Sequence, residues 1–333
     1  MNARRMLRLL LVLQLAAALA LAAALHGWGG WRWPAALMAG LGAVVLVRVL
    51  IFTNNFLLSA GAASETPAAF CLGAAGWLRL WAEEFAASML QSSWHGPCGT
   101  PRLRVFDNDH IPVLLLHGYG CNSGYWQQLA ARLEAQRIGH ATLDLEPVTG
   151  AIDDYVPQVE RAVDMLCEAS GARSVAIVAH SMGGLVARAW LREYGAGRLA
   201  RLITLGSPHH GTVLANLGVG ANAVQMRRSR AGQASPWLRA LDAAETSATR
   251  ALITSIYTHQ DNIVAPQISS CLAGAREIAV KGVGHVALGR NRRVLDCIMA
   301  ELAALRQGAP GQGASDSVRR RGQERDLAGK LAP

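Results

Sequence analysis

A serine stands between an apolar run and a helical pattern near the middle of the chain. The segment AHSMGG (179–184) follows SVAIVA and precedes LVARAWLREY. A strand, a sharp turn and a helix in this order form a nucleophile elbow, which holds a serine in strained backbone geometry. Such a turn needs small residues two before and two after the serine, here Ala179 and Gly183. Ala179 departs from the usual first glycine but meets this requirement, so we predict Ser181 as a nucleophile rather than a structural turn residue.

A serine hydroxyl becomes a nucleophile only with a base and a group that orients the base. In an arrangement of this kind the chain order is serine, acid, histidine. Asp261 follows the apolar run LITSIYT, and His285 lies in the glycine-rich GVGH between the last apolar run and the last helical pattern. Of the ten histidines, His285 alone combines this order with this position. We therefore predict Asp261 and His285 as the partners of Ser181.

The reaction also needs two backbone N–H donors that stabilise a developing oxyanion. One is expected from the residue after the nucleophile, Met182, and the other from the loop after an early strand. That loop is HGYG (117–120), whose glycines let the backbone curl towards the serine. We predict the Tyr119 and Met182 N–H groups as these donors, with a plain glycine-rich turn as the alternative for HGYG.

Short apolar runs alternate with helical patterns from residue 101 onwards, which is typical of a mostly parallel sheet flanked by helices. The predicted strands are 112–116, 141–145, 174–179, 200–205, 252–258 and 275–280. The predicted helices lie near 124–137, 154–169, 182–195, 236–248 and 286–306. The fold class is therefore α/β, and we assign residues 101–306 to the catalytic domain.

Residues 212–250 are too many for a plain connection between two strands, so we expect a helical cap there. A mobile lid with an apolar underside and a fixed pair of surface helices both fit its composition. Met226, Trp237 and the nearby His210 are candidates for the substrate pocket. For His209 and His210 the alternative to substrate contact is structural hydrogen bonding beneath the active site.

The first hundred residues contain two long apolar segments, 6–25 and 35–52, and then an amphipathic one. Two membrane helices are the simplest interpretation, giving an anchor at 1–55 and a connector at 56–100. A cleaved signal peptide is the alternative for the first segment. A helix expected over 68–92 carries aromatic residues, with Glu83 and Glu84 elsewhere on its circumference. It suits either a membrane interface or packing against the catalytic domain.

The charge and the cysteine content limit the kinds of partner and cofactor that the sequence predicts. The net charge of +9 is spread along the chain, with no polycationic segment that would indicate nucleic acid. The six cysteines are scattered and form no metal-binding pattern, so we predict no metal and no cofactor, and we leave open one disulfide such as Cys98–Cys121. Residues 307–333 are rich in Gly, Pro, Ser and Ala, which predicts a disordered tail.

The motifs together resemble those of bacterial triacylglycerol lipases and related esterases of the α/β-hydrolase superfamily. LLLHGYG, AHSMGG, LGSPHHGT, YTHQDNIV and GVGH occur in the order found in that family, over roughly residues 110–306. The resemblance implies acyl-ester hydrolysis through an acyl-enzyme and the roles given above to Ser181, Asp261 and His285. Residues 1–100 have no counterpart in it.

The sequence therefore predicts a membrane-anchored serine hydrolase of lipid or other acyl esters, with no prediction of oligomeric state. A thioesterase or acyltransferase with the same triad, and a catalytically silent membrane-bound scaffold, are the alternatives. The positive-inside rule, applied to Arg4, Arg5 and Arg8, predicts a bacterial inner-membrane hairpin with a cytoplasmic catalytic domain. Cleavage after about residue 24 would instead allow a periplasmic domain.

Overall fold

The computed structural model describes residues 2–307 and contains one seven-stranded sheet within them. Its strands are β1 (Leu103–Arg104), β2 (Val113–Leu116), β3 (His140–Leu143), β4 (Val175–His180), β5 (Leu199–Leu205), β6 (Ile253–Tyr257) and β7 (Arg276–Ala279). They lie in the order β1-β3-β2-β4-β5-β6-β7. β1 pairs antiparallel with β3, and all the other neighbours are parallel.

All six predicted strands form, with ends that differ from the prediction by up to two residues. The central strands are apolar because they are covered on both faces, as parallel strands usually are. In β2 and β4 every residue is buried. The sequence prediction missed β1, since two residues are too few to show a strand period.

Eleven α-helices lie within the described residues. They are α1 (Ala3–Gly27), α2 (Trp33–Ala60), α3 (Ala74–Leu90), α4 (Gly96–Cys98), α5 (Gln127–Ala135), α6 (Ile152–Ser170), α7 (Met182–Tyr194), α8 (Ala221–Gln225), α9 (Pro236–Ala243), α10 (Ser247–Ala251) and α11 (Arg292–Gln307). One buried apolar cluster joins the sheet to α6 and α7, and a second joins it to α5 and α11. The sheet is therefore covered by helices on both faces.

Four predicted helices are interrupted in the structure, and the one predicted near 236–248 is divided between α9 and α10. A 3₁₀ turn, Ser123–Trp126, precedes α5, and another, Val286–Gly289, is separated from α11. The predicted helix over 68–92 begins as a 3₁₀ turn, Ala68–Phe70, and continues as α3 only from Ala74. These breaks leave loops beside the sheet edge where the predicted site residues lie.

The cap between β5 and β6 consists of short pieces. It contains a 3₁₀ turn, Val213–Leu217, followed by α8, α9 and α10. Two isolated bridges, Thr212 with Arg227 and Arg228 with Ala234, hold its middle part together.

Helices α1 and α2 pack side by side as a hairpin, with Gly40 against the Ala18 carbonyl. By length and composition both could cross a membrane, a criterion that a signal sequence near the N-terminus also meets. Only 11% and 17% of their most apolar stretches are buried within the chain, which is unlike the core helices of a soluble protein. α2 extends to Ala60, beyond the predicted anchor boundary at residue 55.

Exposed tryptophans lie at the tip of this hairpin and beside its middle. Trp28, Trp31 and Trp33 are at the tip, whereas Trp94 follows Ser93, whose hydroxyl accepts from Arg48 near the middle of α2. The 25 residues of α1 span about 37 Å, a little more than the hydrocarbon core of a bilayer. Tryptophans at the end of an apolar helix are typical of a membrane interface.

Helix α3 packs against both the hairpin and the sheet-containing part of the chain, residues 101–306. Phe52 of α2 meets Trp81 and Phe85 of α3 at 5.6 and 5.2 Å between ring centroids. Another face of α3 buries Leu80 and Glu84 against the sheet-containing part. Glu84, which the sequence placed off the aromatic side of this helix, is therefore buried.

The six cysteines are free thiols, so Cys98 and Cys121 are not joined. Of the predicted tail at 307–333, Gln307 ends α11, and the rest lies outside the described residues.

Candidate active site

Ser181 occupies the turn between β4 and α7 in a backbone conformation that few residues adopt. Its φ is 53° and its ψ is −123°, which costs free energy for a residue with a Cβ. The Ser181 N–H donates to the Leu205 carbonyl of β5 at 2.9 Å, which holds the turn against the sheet. The strained turn sets the serine at the carboxyl end of β4, where it is 7% exposed.

The small residues around the serine allow backbone segments to approach closely. A Cβ at Gly183 would lie 2.5 Å from the Leu116 carbonyl oxygen and 2.7 Å from that of His117. A Cβ at Gly118 would lie 2.9 Å from the Ser181 Cβ. The HGYG loop therefore packs directly against Ser181, as the sequence predicted. Ala179 lies in the middle of the sheet, between Leu116 and Thr204.

Asp261 and His285 form a buried pair on the loops that follow β6 and β7. The His285 Nδ1 lies 2.8 Å from the Asp261 Oδ2, and the two residues are 4% and 2% exposed. The other carboxylate oxygen of Asp261 accepts from the N–H groups of Ile263 and Val264 at 2.8 and 2.7 Å. Asp261 is thus fixed in orientation and fixes His285 in turn.

Glycine contacts connect this pair to the serine. A Cβ at Gly206 would lie 3.1 Å from the Asp261 Oδ2 and 3.3 Å from the His285 Nδ1. Gly206 directly follows Leu205, whose carbonyl accepts from Ser181. The loop after β5 therefore lies between Ser181 and the pair, and all three residues follow the carboxyl ends of neighbouring parallel strands.

The protonation of His285 is controlled by its neighbours. Burial alone would lower the pKa of His285, but the charge and hydrogen bond of Asp261, together with the charge of Glu84, hold it above its ordinary value. With the Nδ1–H donating to Asp261, the Nε2 remains as the nitrogen that can accept a proton.

His180 supports the loop of His285. Its Nε2 lies 3.1 Å from the His285 carbonyl oxygen, and its ring stacks on Tyr125 with centroids 4.2 Å apart. Burial and the charge of His285 keep the pKa of His180 well below its ordinary value, so this ring stays neutral. A neutral ring in this place donates to the His285 carbonyl without adding a charge beside the pair.

Glu84 is the site residue that the sequence did not reveal. It is completely buried, and its carboxylate accepts from the backbone N–H groups of Val286 and Ala287 at 2.8 and 2.7 Å. A Cβ at Gly284 would lie 2.5 Å from the Glu84 Cγ, so glycine is required for this contact. Burial raises the pKa of Glu84 to about 7, although the two N–H donors favour its charged form.

Only the alignment of Glu84 with Leu80 and Ala87, three or four residues apart on α3, could have suggested that this carboxylate lies on a buried face. The aromatic residues on the rest of the helix concealed that signal. The sequence therefore gave Glu84 a place on the helix circumference but no role in the site.

The predicted oxyanion donors belong to two segments next to the serine, the start of α7 and the HGYG loop. Met182 is the first residue of α7, where a helix leaves its N–H without an intrahelical acceptor. The HGYG loop is fixed by His117, whose Nε2 accepts from the Leu145 N–H at 2.9 Å while its Nδ1 donates to the Gly118 carbonyl. The Tyr119 hydroxyl donates to the Val219 carbonyl at 2.7 Å and accepts from the Val219 N–H at 3.1 Å. Tyr119 therefore ties the HGYG loop to the cap.

The adjacent histidines His209 and His210 have different surroundings. Buried Arg188 contacts the His209 Nδ1 at 3.4 Å, and the Thr204 hydroxyl contacts its Nε2 at 3.2 Å. His209 thus lies in a buried hydrogen-bond network, the arrangement expected of a structural role. His210 lines a cavity of ≈ 590 Å³ together with Arg228 of the cap.

The other two pocket candidates do not line that cavity. Met226 is part of the buried core and is 5% exposed. The Trp237 indole donates to Asp153 of α6 at 2.7 Å, and Arg192 lies 6.0 Å from its ring centroid. Trp237 therefore fastens the cap to α6 and α7.

Comparisons with known proteins agree with this architecture. The family model described as alpha/beta hydrolase fold matches residues 111–250. The Bacillus licheniformis lipase BlEst2 in its mature form is 16% identical with a TM-score of 0.52, over 60% of this chain and 95% of that one. Its propeptide form is also 16% identical with a TM-score of 0.52, over 66% of this chain and 55% of that one.

A thermophilic esterase from Thermogutta terrifontis is 16% identical with a TM-score of 0.45, over 61% of this chain and 98% of that one. The family model and the mostly parallel sheet identify the fold as that of the α/β-hydrolases, as the sequence predicted.

Proposed function

We propose that this protein is a membrane-anchored serine hydrolase that cleaves carboxylic esters through an acyl-enzyme. The observation that carries the proposal is the convergence of a strained serine and a buried histidine–aspartate pair at one edge of an α/β-hydrolase sheet. The close approach of Gly118 and Gly183 holds Ser181 in its strained conformation. An ordinary serine in a turn does not need such close packing.

In the proposed first half-reaction the Ser181 Oγ attacks the ester carbonyl carbon while the His285 Nε2 takes the hydroxyl proton. The Tyr119 and Met182 N–H groups stabilise the resulting oxyanion. When the tetrahedral intermediate collapses, the alcohol leaves with the proton from His285. Water then attacks the acyl-enzyme with His285 again as base, and the acid product and free Ser181 are released.

The contacts of the N-terminal segment favour an anchor that stays attached. The Arg4 guanidinium lies 3.7 Å from the Asp144 carboxylate, and the Arg8 Nε donates to the Pro97 carbonyl at 2.9 Å. Cleavage after about residue 24 would remove both contacts. The hairpin enters and leaves beside the catalytic part, so its two outer ends lie on one side of the membrane. With Arg4, Arg5 and Arg8 retained inside, that side is the cytoplasm.

The anchor also lies close to the proposed active site. The Ser64 N–H, just beyond α2, donates to the Gln267 Oε1 at 3.0 Å, and the Gln267 Nε2 donates to the Asp261 carbonyl at 2.9 Å. Exposed Leu217 and Val219 of the cap and Ile268 lie on nearby loops. This proximity supports a lipid ester, taken from the membrane to which the protein is attached, as the substrate.

The proposal is tested by a series of p-nitrophenyl esters of increasing acyl length, hydrolysed by the detergent-solubilised full chain and by its Ser181→Ala variant. We expect ester hydrolysis by the wild type only, with a preference for longer chains. Acyl thioesters and alternative acyl acceptors, tested in parallel, distinguish a thioesterase or an acyltransferase. A silent scaffold would hydrolyse none of these substrates, and equal activity of the variant would contradict the role of Ser181.

The membrane side is tested separately by a C-terminal alkaline phosphatase fusion and by the mass of the mature N-terminus. We expect low phosphatase activity and an intact N-terminal segment. Strong phosphatase activity with loss of that segment would contradict the cytoplasmic assignment.

A further inference from the structure

A second cavity lies away from the proposed active site, between α3 and the beginning of α11. It measures ≈ 570 Å³. Five cationic side chains and one carboxylate line it: Arg79, Lys281, Arg290, Arg292, Arg293 and Glu83. None of these residues has a part in the proposed hydrolysis.

The positive charge of this cavity is poorly balanced by the protein. Glu83 accepts a hydrogen bond from Asn291 at 2.7 Å. Arg79 and Arg290 take part in no ion pair within residues 2–307. Arg292, with a side chain that is 89% exposed, lies 4.0 Å from Asp296. An excess of mutually repelling cations around one cavity favours a bound anion.

Two more of the cations donate, within the described part of the chain, to backbone carbonyls and to no carboxylate. The Lys281 Nζ donates to the Ala69 carbonyl at 2.9 Å, and Arg293 donates to the Lys281 carbonyl at 2.7 Å. These bonds position the two side chains at the cavity without neutralising their charges.

The first turn of α11 adds to the imbalance. This turn contains Arg292 and Arg293 and no acidic residue. The amino end of a helix carries a partial positive charge, so cations there are unfavourable and an anion is favourable. A phosphate held between Arg79 and this turn would relieve both effects.

The position of the cavity indicates where such an anion would come from. Arg79 and Glu83 lie on one side of α3, while Trp81 of the same helix donates to Thr53 of α2 at 3.2 Å. The cavity is therefore level with the base of the hairpin. In the proposed membrane arrangement, that level is occupied by lipid headgroups.

We propose that this cavity binds the phosphate group of a glycerophosphate, supplied by an anionic phospholipid of the membrane that holds the anchor. The phosphate bridges Arg79 on α3 and the cations around the start of α11. The bound lipid thereby fastens the anchor-linked helix to the segment that carries His285. The lipid source rests on the proposed anchor, whereas the phosphate chemistry does not depend on hydrolysis.

The test measures the thermal stability of the full chain in neutral detergent micelles. The additions are phosphatidylglycerol, phosphatidylcholine or soluble glycerol phosphate. We expect phosphatidylglycerol to raise the Tm by several degrees, phosphatidylcholine to have no such effect, and high salt to weaken the shift. The double variant Arg79→Ala/Arg292→Ala should lose the shift. Both side chains are exposed, so the variant should fold.

A matched control separates this site from general attraction to a cationic protein. The double variant Arg161→Ala/Arg173→Ala removes two exposed arginines on and just after α6 and should keep the full shift. A shift with glycerol phosphate as well would support the site and identify a soluble source as sufficient. No shift with either phosphate compound, or an equal shift in both double variants, would overturn the proposal. The readout is independent of hydrolysis, so a failed esterase assay would not affect it.

Discussion

Two regions of the chain meet at His285, and their sequences reveal their roles to different degrees. Ser181, Asp261 and His285 each follow a strand of the parallel sheet, so local patterns indicate them. Glu84 contacts the same loop from α3, 202 and 203 positions before its partners Val286 and Ala287. The comparison shows that local sequence patterns can identify the main residues of a site. The same site can still depend on a contact between residues that are far apart in the sequence.

The largest losses of esterase activity are expected from substitutions of the residues that follow the sheet strands. His285→Ala removes the base and should reduce kcat about 10⁴-fold or more, while Asp261→Asn should cost less, because it disturbs orientation and leaves the imidazole. Esterase kinetics with unchanged circular dichroism provide the measurement. If His209→Ala or His210→Ala were as damaging as His285→Ala, the assignment of the base would be wrong.

The glycine contacts of the elbow should be nearly as sensitive. Gly183→Ala places a Cβ against two carbonyl oxygens and should destabilise the fold by about 1–3 kcal/mol, with loss of esterase activity. The control is Gly197→Ala, where a Cβ would meet nothing within 4 Å. Urea unfolding of the two variants measures the difference, and equal stabilities would contradict the tight approach at Gly183.

The contribution of α3 is tested at Glu84, with its neighbour Glu83 as control. Glu84→Gln leaves one of two buried N–H donors poorly paired and should cost about 1–3 kcal/mol. The variant also lacks the negative charge of Glu84, which raises the pKa of His285 in the wild type. The pKa of His285 should therefore be lower in the variant. Because His285 must be neutral to accept a proton, activity is lost as the pH falls through its pKa. We therefore expect the acid limb of the kcat/KM profile to move to lower pH.

Glu83→Gln changes a more exposed residue on the same turn and should leave the profile in place. A profile that moves equally in both variants would mean that Glu84 acts through the general charge of the helix.

The smallest effect is expected at the contact between the HGYG loop and the cap. Tyr119→Phe removes two hydrogen bonds to Val219 but keeps the Tyr119 backbone N–H. The variant should reduce the free energy that holds the cap closed by about 0.5–1.5 kcal/mol per bond. Hydrogen exchange over residues 213–225 should become faster. Tyr194→Phe, at an exposed tyrosine, should not change it. Unchanged exchange in both would favour a fixed cap.

The sequence predicted the features that depend on neighbouring residues. The apolar runs predicted the six parallel strands. The small residues close to Ser181 in the sequence predicted the strand, turn and helix around it. The chain order and the apolar runs placed Ser181, Asp261 and His285 each in a loop after a predicted strand, and these strands are β4, β6 and β7. Their roles remain predictions, although the geometry supports them.

The features that the sequence could not reveal depend on contacts between distant elements. The burial of Glu84 arises because α3 lies between the hairpin and the loop of His285, and no local pattern encodes that position. The pairing of Trp237 with Asp153 likewise depends on how the cap folds over α6. Strand β1 was missed because it is too short to show a period.

In the proposed mechanism Ser181 is a nucleophile activated by His285. It is tested most directly by treating the detergent-solubilised full chain with a fluorophosphonate and mapping the adduct by peptide mass spectrometry. We predict one phosphonyl group on Ser181 in the wild type, with labelling greatly slowed in His285→Ala and absent in Ser181→Ala. A wild-type protein that stays unlabelled at Ser181, or a His285→Ala variant that is labelled as fast as the wild type, would contradict this mechanism.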